Sequence, residues 1–170
     1  KLDTDLVYGN EAVQLSGVTA SDFAAIAKAG IPPAASARGI VRSGRSFRRQ
    51  DIIELRRVLD DSTPYYAAAA VLGITKIGLE QLDAMGLVKA VNHPALNLLG
   101  RTPAVSGASI AQLKSSLIEH RKDPSFVEHG ILASRLFLSI GGRPKPWGPL
   151  VALLLSGSVP FGFEDECNLS

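Results

Sequence analysis

Seven of the eighteen basic residues fall within twenty positions: Arg38, Arg42, Arg45, Arg48, Arg49, Arg56 and Arg57. Guanidinium groups at this density suit a row of phosphates, each of which the planar fork can hold through two parallel hydrogen bonds. The net charge of +2 says little by itself, whereas this clustering points to a polyanion. A second group of residues sits on two short helical segments: Ala20, Ser21, Ala24 and Lys28 on one, Lys76, Ile77, Glu80 and Gln81 on the other. Side chains placed this way can read base edges. A glutamine pairs with adenine, a lysine with guanine or phosphate, and an alanine methyl packs on thymine, so Gln81, Lys76 and Ala24 are candidates for these contacts.

No pattern suggests catalysis. Gly141-Gly142 lacks the Lys-Ser/Thr that completes a phosphate-binding loop, and no Ser, His and Asp are spaced as a nucleophile elbow would require. Glu164-Asp165-Glu166 reads as a solvated acidic run. His93, His120 and His129 are scattered, with no second ligand at metal spacing. The expectation is therefore no enzyme, no metal and no cofactor. The lone Cys167 cannot form an internal disulfide and suits a reducing cytoplasm. The longest apolar run, Leu150 to Leu155, is far short of the ~20 residues of a spanning helix, and no signal peptide is visible. A cytoplasmic location, at the bacterial nucleoid, follows as an expectation. The chain starts at Lys1 rather than Met, which suggests a piece of a longer protein.

The elements that must position these residues announce themselves in the stretch from Ala67 to Leu87. Alanine-rich Ala67–Leu72 forms a helix, Gly73 ends it, Thr75 caps the next, and that helix buries Ile74, Leu79 and Leu82 before Gly86 stops it. Helix, Gly-apolar-Thr turn and helix make a helix-turn-helix. Shifting the sequence by 56 places Gly17, Val18, Thr19, Phe23, Ile26, Gly30 and Ile31 on Gly73, Ile74, Thr75, Leu79, Leu82, Gly86 and Leu87. After a gap of two, Ile52, Leu55 and Leu59 fall on Ile110, Leu113 and Leu117, with Asp51 and Ser109 as matching caps. The chain is a tandem repeat.

In chain order, Leu6-Val7-Tyr8 suggests a short strand and Asn10 a cap for a first helix. Pro32-Pro33 halts the second helix. Arg38 to Arg48 reads as a hairpin with strands Ile40–Arg42 and Arg45–Phe47 around a Ser43-Gly44 turn. A third helix follows from Asp51 to Leu59 or Asp60. The second copy has a wing segment from Val88 to Gly107 that is poor in charge, then a helix from Ser109 to about His120. A degraded third copy is suggested by Leu150, Leu153 and Gly157, which keep the spacing of Leu79, Leu82 and Gly86, with a strand beginning at Val159-Pro160-Phe161. The expected fold is mainly α, with tandem winged helix-turn-helix units carrying small β-hairpin wings. The expected divisions are residues 1–61, 62–123 and a partial unit over 124–170.

With these residues in view, the chain resembles the C-terminal region of TniQ-family transposon targeting proteins, related to TnsD. The resemblance is carried by Glu11-Ala12-Val13, Gly17-Val18-Thr19, Ala29-Gly30, Phe47-Arg48-Arg49-Gln50-Asp51-Ile52, Leu72-Gly73-Ile74-Thr75, Gly86-Leu87 and the late Trp147 with Leu154-Leu155-Ser156-Gly157. These motifs are short and shared with MerR-like regulators and excisionases. The zinc-binding N-terminal region typical of TniQ proteins is absent from this sequence. The resemblance implies sequence-specific binding of a target site and handover to a transposition ATPase.

Taken together, the sequence reads as a double-stranded-DNA binder whose contacts come from Ser21, Lys28, Arg38, Arg42, Arg45, Arg48, Arg49, Lys76 and Gln81. The first unit is the better binder, because Glu80 and Asp83 in the second repel phosphate. Two other readings stand beside it: a transcriptional regulator or excisionase-like factor built from the same modules, and a helical scaffold that docks a protein partner.

Overall fold

The computed structural model describes residues 5–34, 45–122, 135, 137 and 144–162. Their elements are mainly helical. In order they are β1 (Leu6–Tyr8), α1 (Gly9–Ser16), α2 (Ala20–Lys28), β2 (Ser46–Arg48), α3 (Arg49–Asp61), β3 (Ser62–Pro64), α4 (Tyr65–Leu72), α5 (Lys76–Ala84), β4 (Ala90–Val91), α6 (Pro94–Leu98), β5 (Ala104–Ser106), α7 (Gly107–His120) and α8 (Trp147–Leu155). The chain forms two compact units, one of Lys1–Ser62 with Asn92–Thr102, the other of Thr63–Val91 with Pro103–Ser170.

In the first unit, α1 ends at Gly17, whose φ of 71° is costly for any residue with a Cβ. Two residues on, the Thr19 hydroxyl accepts the Asp22 backbone N–H at 3.2 Å and so satisfies one orphan donor at the start of α2. The turn thus fixes where α2 begins. Phe23, Ile26 and Ala27 face inward from it at helical spacing. Phe23 meets Phe47 edge-on, with ring centres 5.4 Å apart. Phe47 lies on β2, which pairs antiparallel with β1, Val7 opposite Phe47. Val7, Ala12, Phe23, Ala27, Phe47 and Ile52 close the core.

The repeat is present in three dimensions. β1, α1 and α2 recur 56 residues later as β3, α4 and α5 with the same lengths. The offset is 58 for β2 and β5 and for the starts of α3 and α7, as the gap of two requires. Gly73 has φ 66°, and Thr75 accepts the Gly78 N–H at 3.1 Å, as Gly17 and Thr19 do in the first copy. The second core gathers Ala68, Leu72, Ile74, Leu79, Leu82, Val105, Ile110, Leu113 and Leu117. Its sheet has the order β3-β5-β4, with β4 antiparallel to β5.

Several expectations need correction. α1 starts one residue before Asn10, and its N-cap is Tyr8. Asp51 and Ser109 are not caps: they lie in the first turns of α3 and α7, whose N-caps are Arg48 and Ser106. The Ser106 hydroxyl accepts the Ser109 N–H at 3.2 Å. The second strand of the expected hairpin is displaced by one residue, and the partner it has among the described residues is β1. Residues 40–44 of that hairpin lie outside the described residues. The second wing segment does contain a two-stranded ladder, but α6 is inserted between its strands.

The late helix departs furthest from expectation. α8 does run for nine residues to a terminal turn at Gly157, yet its buried residues are Trp147, Gly148, Val151 and Leu154. Leu153 is 46% exposed. The inward face is rotated by one position from the register of Leu79 and Leu82, and no strand forms at Val159–Phe161. α8 packs on α5 and α7 and joins the second core through Trp147, Val151 and Leu154.

Candidate nucleic-acid interface

α2 presents Ala20, Ser21, Ala24, Ala25 and Lys28 to solvent. The only hydroxyls at its start, Thr19 and Ser21, are 2.9 Å apart and share a hydrogen bond. Lys28 stands in the last turn, where an ammonium is favoured by the negative end of the helix dipole. Small side chains dominate this face, so a groove floor could come close to the helix backbone, with few polar groups to read it.

The arginines divide by what already holds them. Arg45 Nη1 donates at 2.6 Å to the Ala27 carbonyl at the C-terminal end of α2, which also accepts the Gly30 N–H at 3.1 Å. Arg49 pairs with Glu11 and ties the start of α3 to α1. Arg56 pairs with Asp60 at 3.2 Å and lies beside Gly17, and Arg57 approaches Glu54 at 3.9 Å. Arg48, on the strand that enters α3, is exposed and has no ion pair with the described residues. Arg38 and Arg42 lie outside the described residues.

The second unit uses the corresponding helix differently. Gly78 and Gln81 on α5, with Met85 at its C-cap, receive α8. A Cβ at Gly78 would stand 2.6 Å from Trp147 Cδ1, and one at Gly148 would stand 2.6 Å from Met85 Sδ. Two glycines therefore let the helices approach. Between them Gln81 donates through Nε2 to the Lys145 carbonyl at 2.9 Å and accepts the Gly148 N–H through Oε1 at 3.0 Å. A long-range side chain thus supplies the N-terminal cap that Pro146 cannot. Gln81, expected to face adenine, has both ends of its amide engaged within the chain. Lys76, at the start of α5, lies 3.6 Å from Glu80 across one helical turn. Trp147 is held by shape: it stacks edge-on against Phe137 at 4.6 Å, and its buried Nε1–H has no hydrogen-bond partner among the described residues.

Sequence reasoning missed this α5–α8 junction because its partners are more than sixty residues apart. A retrospective signal existed in Gly78, which breaks a helix interior where an alanine would be the better helix former. Asp83, expected to help repel phosphate, has structural partners. Its carboxylate accepts the Tyr65 hydroxyl at 2.8 Å and the Ala90 N–H at 3.2 Å. Burial, together with the hydrogen bond and charge of Asp83 and the charge of Glu80, pushes the Tyr65 phenol up to about 12. His93 is satisfied locally, its Nδ1 accepting the Ala95 N–H at 3.2 Å as the cap of α6.

Among the described residues, no three His, Cys, Asp or Glu side chains come together as metal ligands, and no helix is long and apolar enough to cross a membrane. Comparison with models of known protein families, with curated proteins and with solved structures finds no match.

Proposed function

We propose that the chain binds double-stranded DNA, without catalysis, through the helix-turn-helix of the first unit. One observation supports this most: α1 and α2 meet through the Gly17-Val18-Thr19 turn, and α2 keeps the face of Ala20, Ser21, Ala24 and Lys28 exposed. In such a motif the second helix lies in the major groove and its first residues meet the base edges. Arg48, with Arg38 and Arg42, neutralises the flanking phosphates. Arg45 and Arg49 position the elements. The resemblance to TniQ proteins extends the proposal to target-site recognition in transposition, with a transposition ATPase as partner. A regulator or excisionase-like factor would use the same contacts.

A second reading has its own support in the second unit, where α8 rather than solvent meets α5. That unit fits a protein-docking role. Lys76 and Gln81 then contribute nothing to DNA affinity.

Fluorescence anisotropy of a labelled random duplex across a salt series tests the proposal. About four phosphate contacts would lose roughly two decades of affinity between about 50 and 200 mM salt. Arg38→Ala, Arg42→Ala and Arg48→Ala should each lower the salt slope by about one, while Lys76→Ala leaves it unchanged. Absence of binding at low salt would remove the DNA reading and leave the docking one.

A further inference from the structure

The first unit holds a cavity of about 280 Å³ between the loop after α2, the first half of α3 and the start of α6. Gly30, Ile31, Pro32 and Pro33 line one side, Asp51, Glu54 and Leu55 another, and His93 a third. Its polar groups are rich in acceptors and short of donors. Gly30 and Ile31 spend their N–H groups on the carbonyls of Ala27 and Ile26, at 3.1 and 3.2 Å, and the prolines have none. His93 Nδ1 is occupied by the Ala95 N–H, which leaves Nε2–H as the only donor of the neutral ring. Asp51 makes no hydrogen bond or ion pair with the described residues. Glu54 meets Arg57 at 3.9 Å, across an exposed helix face.

The repeat provides an internal control. The positions equivalent to Pro33, Asp51 and Glu54 are Lys89, Ser109 and Gln112. There the Lys89 N–H donates to Ser109 Oγ at 3.1 Å and ties the loop directly to the helix. In the first copy proline removes the donor, a carboxylate replaces the hydroxyl, and a second carboxylate stands one turn on. The fold does not require this opening; its acidic lining belongs to the first copy alone.

We infer that the cavity binds a small organic cation, an ammonium or guanidinium group on a short apolar stem. Two carboxylates and the negative end of the α2 dipole favour the charged head, and charge-assisted hydrogen bonds to Asp51 and Glu54 hold it. Ile31, Pro32 and Leu55 receive the stem. The volume lies just under the roughly 300–1,000 Å³ of sites for drug-sized ligands, so the ligand is of fragment size. A metal ion fits less well, since no three His, Cys, Asp or Glu come together among the described residues. This inference stands independently of DNA binding.

Titration of the full chain with n-butylguanidinium chloride, followed by heteronuclear NMR of the backbone amides, tests it. Saturable shifts are expected at Gly30, Ile31, Asp51 and Glu54. n-Butanol, the same stem without charge, should bind about tenfold more weakly or less, and Asp51→Asn should weaken the guanidinium by about tenfold. Pro33→Lys combined with Asp51→Ser, which copies the second unit, should abolish binding, whereas Gln112→Glu should leave it unchanged. Circular dichroism verifies that each variant is folded. Shifts that do not saturate, that saturate elsewhere in the chain, or that butanol reproduces at equal affinity would overturn the inference. So would a folded Asp51→Asn/Glu54→Gln variant that binds as the wild type does.

Discussion

Tyr65 shows how burial, helped by a hydrogen bond to Asp83, sets a pH limit. The phenol is neutral in the folded chain up to about 12, against an ordinary value of 10.0. Between those two values an unfolded chain has lost the proton that the folded chain still binds, so stability falls as pH rises through this window. Below pH 10 the contribution is complete. Tyr65→Phe should cost about 1 kcal/mol near neutrality, and its stability should decline less than that of the wild type between pH 10 and 12. Urea unfolding at stepped pH measures both effects. Gln81 makes a related point about single side chains. Its place on the exposed-looking side of a short helix is legible from the sequence, whereas its two hydrogen bonds to Lys145 and Gly148 are not, because no local spacing connects them.

Local signals specify the elements, and for that reason the repeat was readable. Gly17 and Gly73 end helices, Thr19 and Thr75 start them, and apolar spacing orients them, all within a few residues. Where a signal was ambiguous, the neighbouring turn decided it. Asp51 and Ser109 have the chemistry of caps but sit three residues inside helices that begin at the strand ends, after Arg48 and Ser106. α8 was readable as a helix and not as a face, since its inward side depends on α5 and α7. The junction between α5 and α8 makes a clear element-level prediction. Gly78→Ala raises the helix propensity of α5 by about 1 kcal/mol, yet the new methyl would overlap Trp147. The variant should nevertheless be less stable, by about 1–3 kcal/mol, because the overpacked junction must open. Thermal unfolding followed by circular dichroism checks this, and a variant more stable than wild type would mean that α8 moves aside without cost.

At the scale of the whole chain, the two copies share a plan and diverge in what covers it. The first keeps a polar α1 face and an open α2 face. The second has an α4 without charged side chains and an α5 that holds α8. Duplication followed by a division of labour, with one unit for nucleic acid and one for protein, is the simplest account of the two functional readings above. The arrangement also makes residues 92–102 part of the first unit, with α6 against α2. Leu96 is fully buried there. Leu96→Ala should therefore lower stability by about 2–5 kcal/mol in urea unfolding, as removal of a core leucine does elsewhere.

The same membership of α6 has a consequence for synthesis. Forty residues separate Ser62 from Thr102, the last residue that the first unit needs. At about 5–20 residues per second, a ribosome takes about 2–8 s to supply them. During that interval the nascent first unit waits with the α6-binding side of α2 uncovered, and α4 and α5 emerge before it is complete. The order of translation thus interleaves the two copies, and neither can finish folding as an uninterrupted stretch of chain.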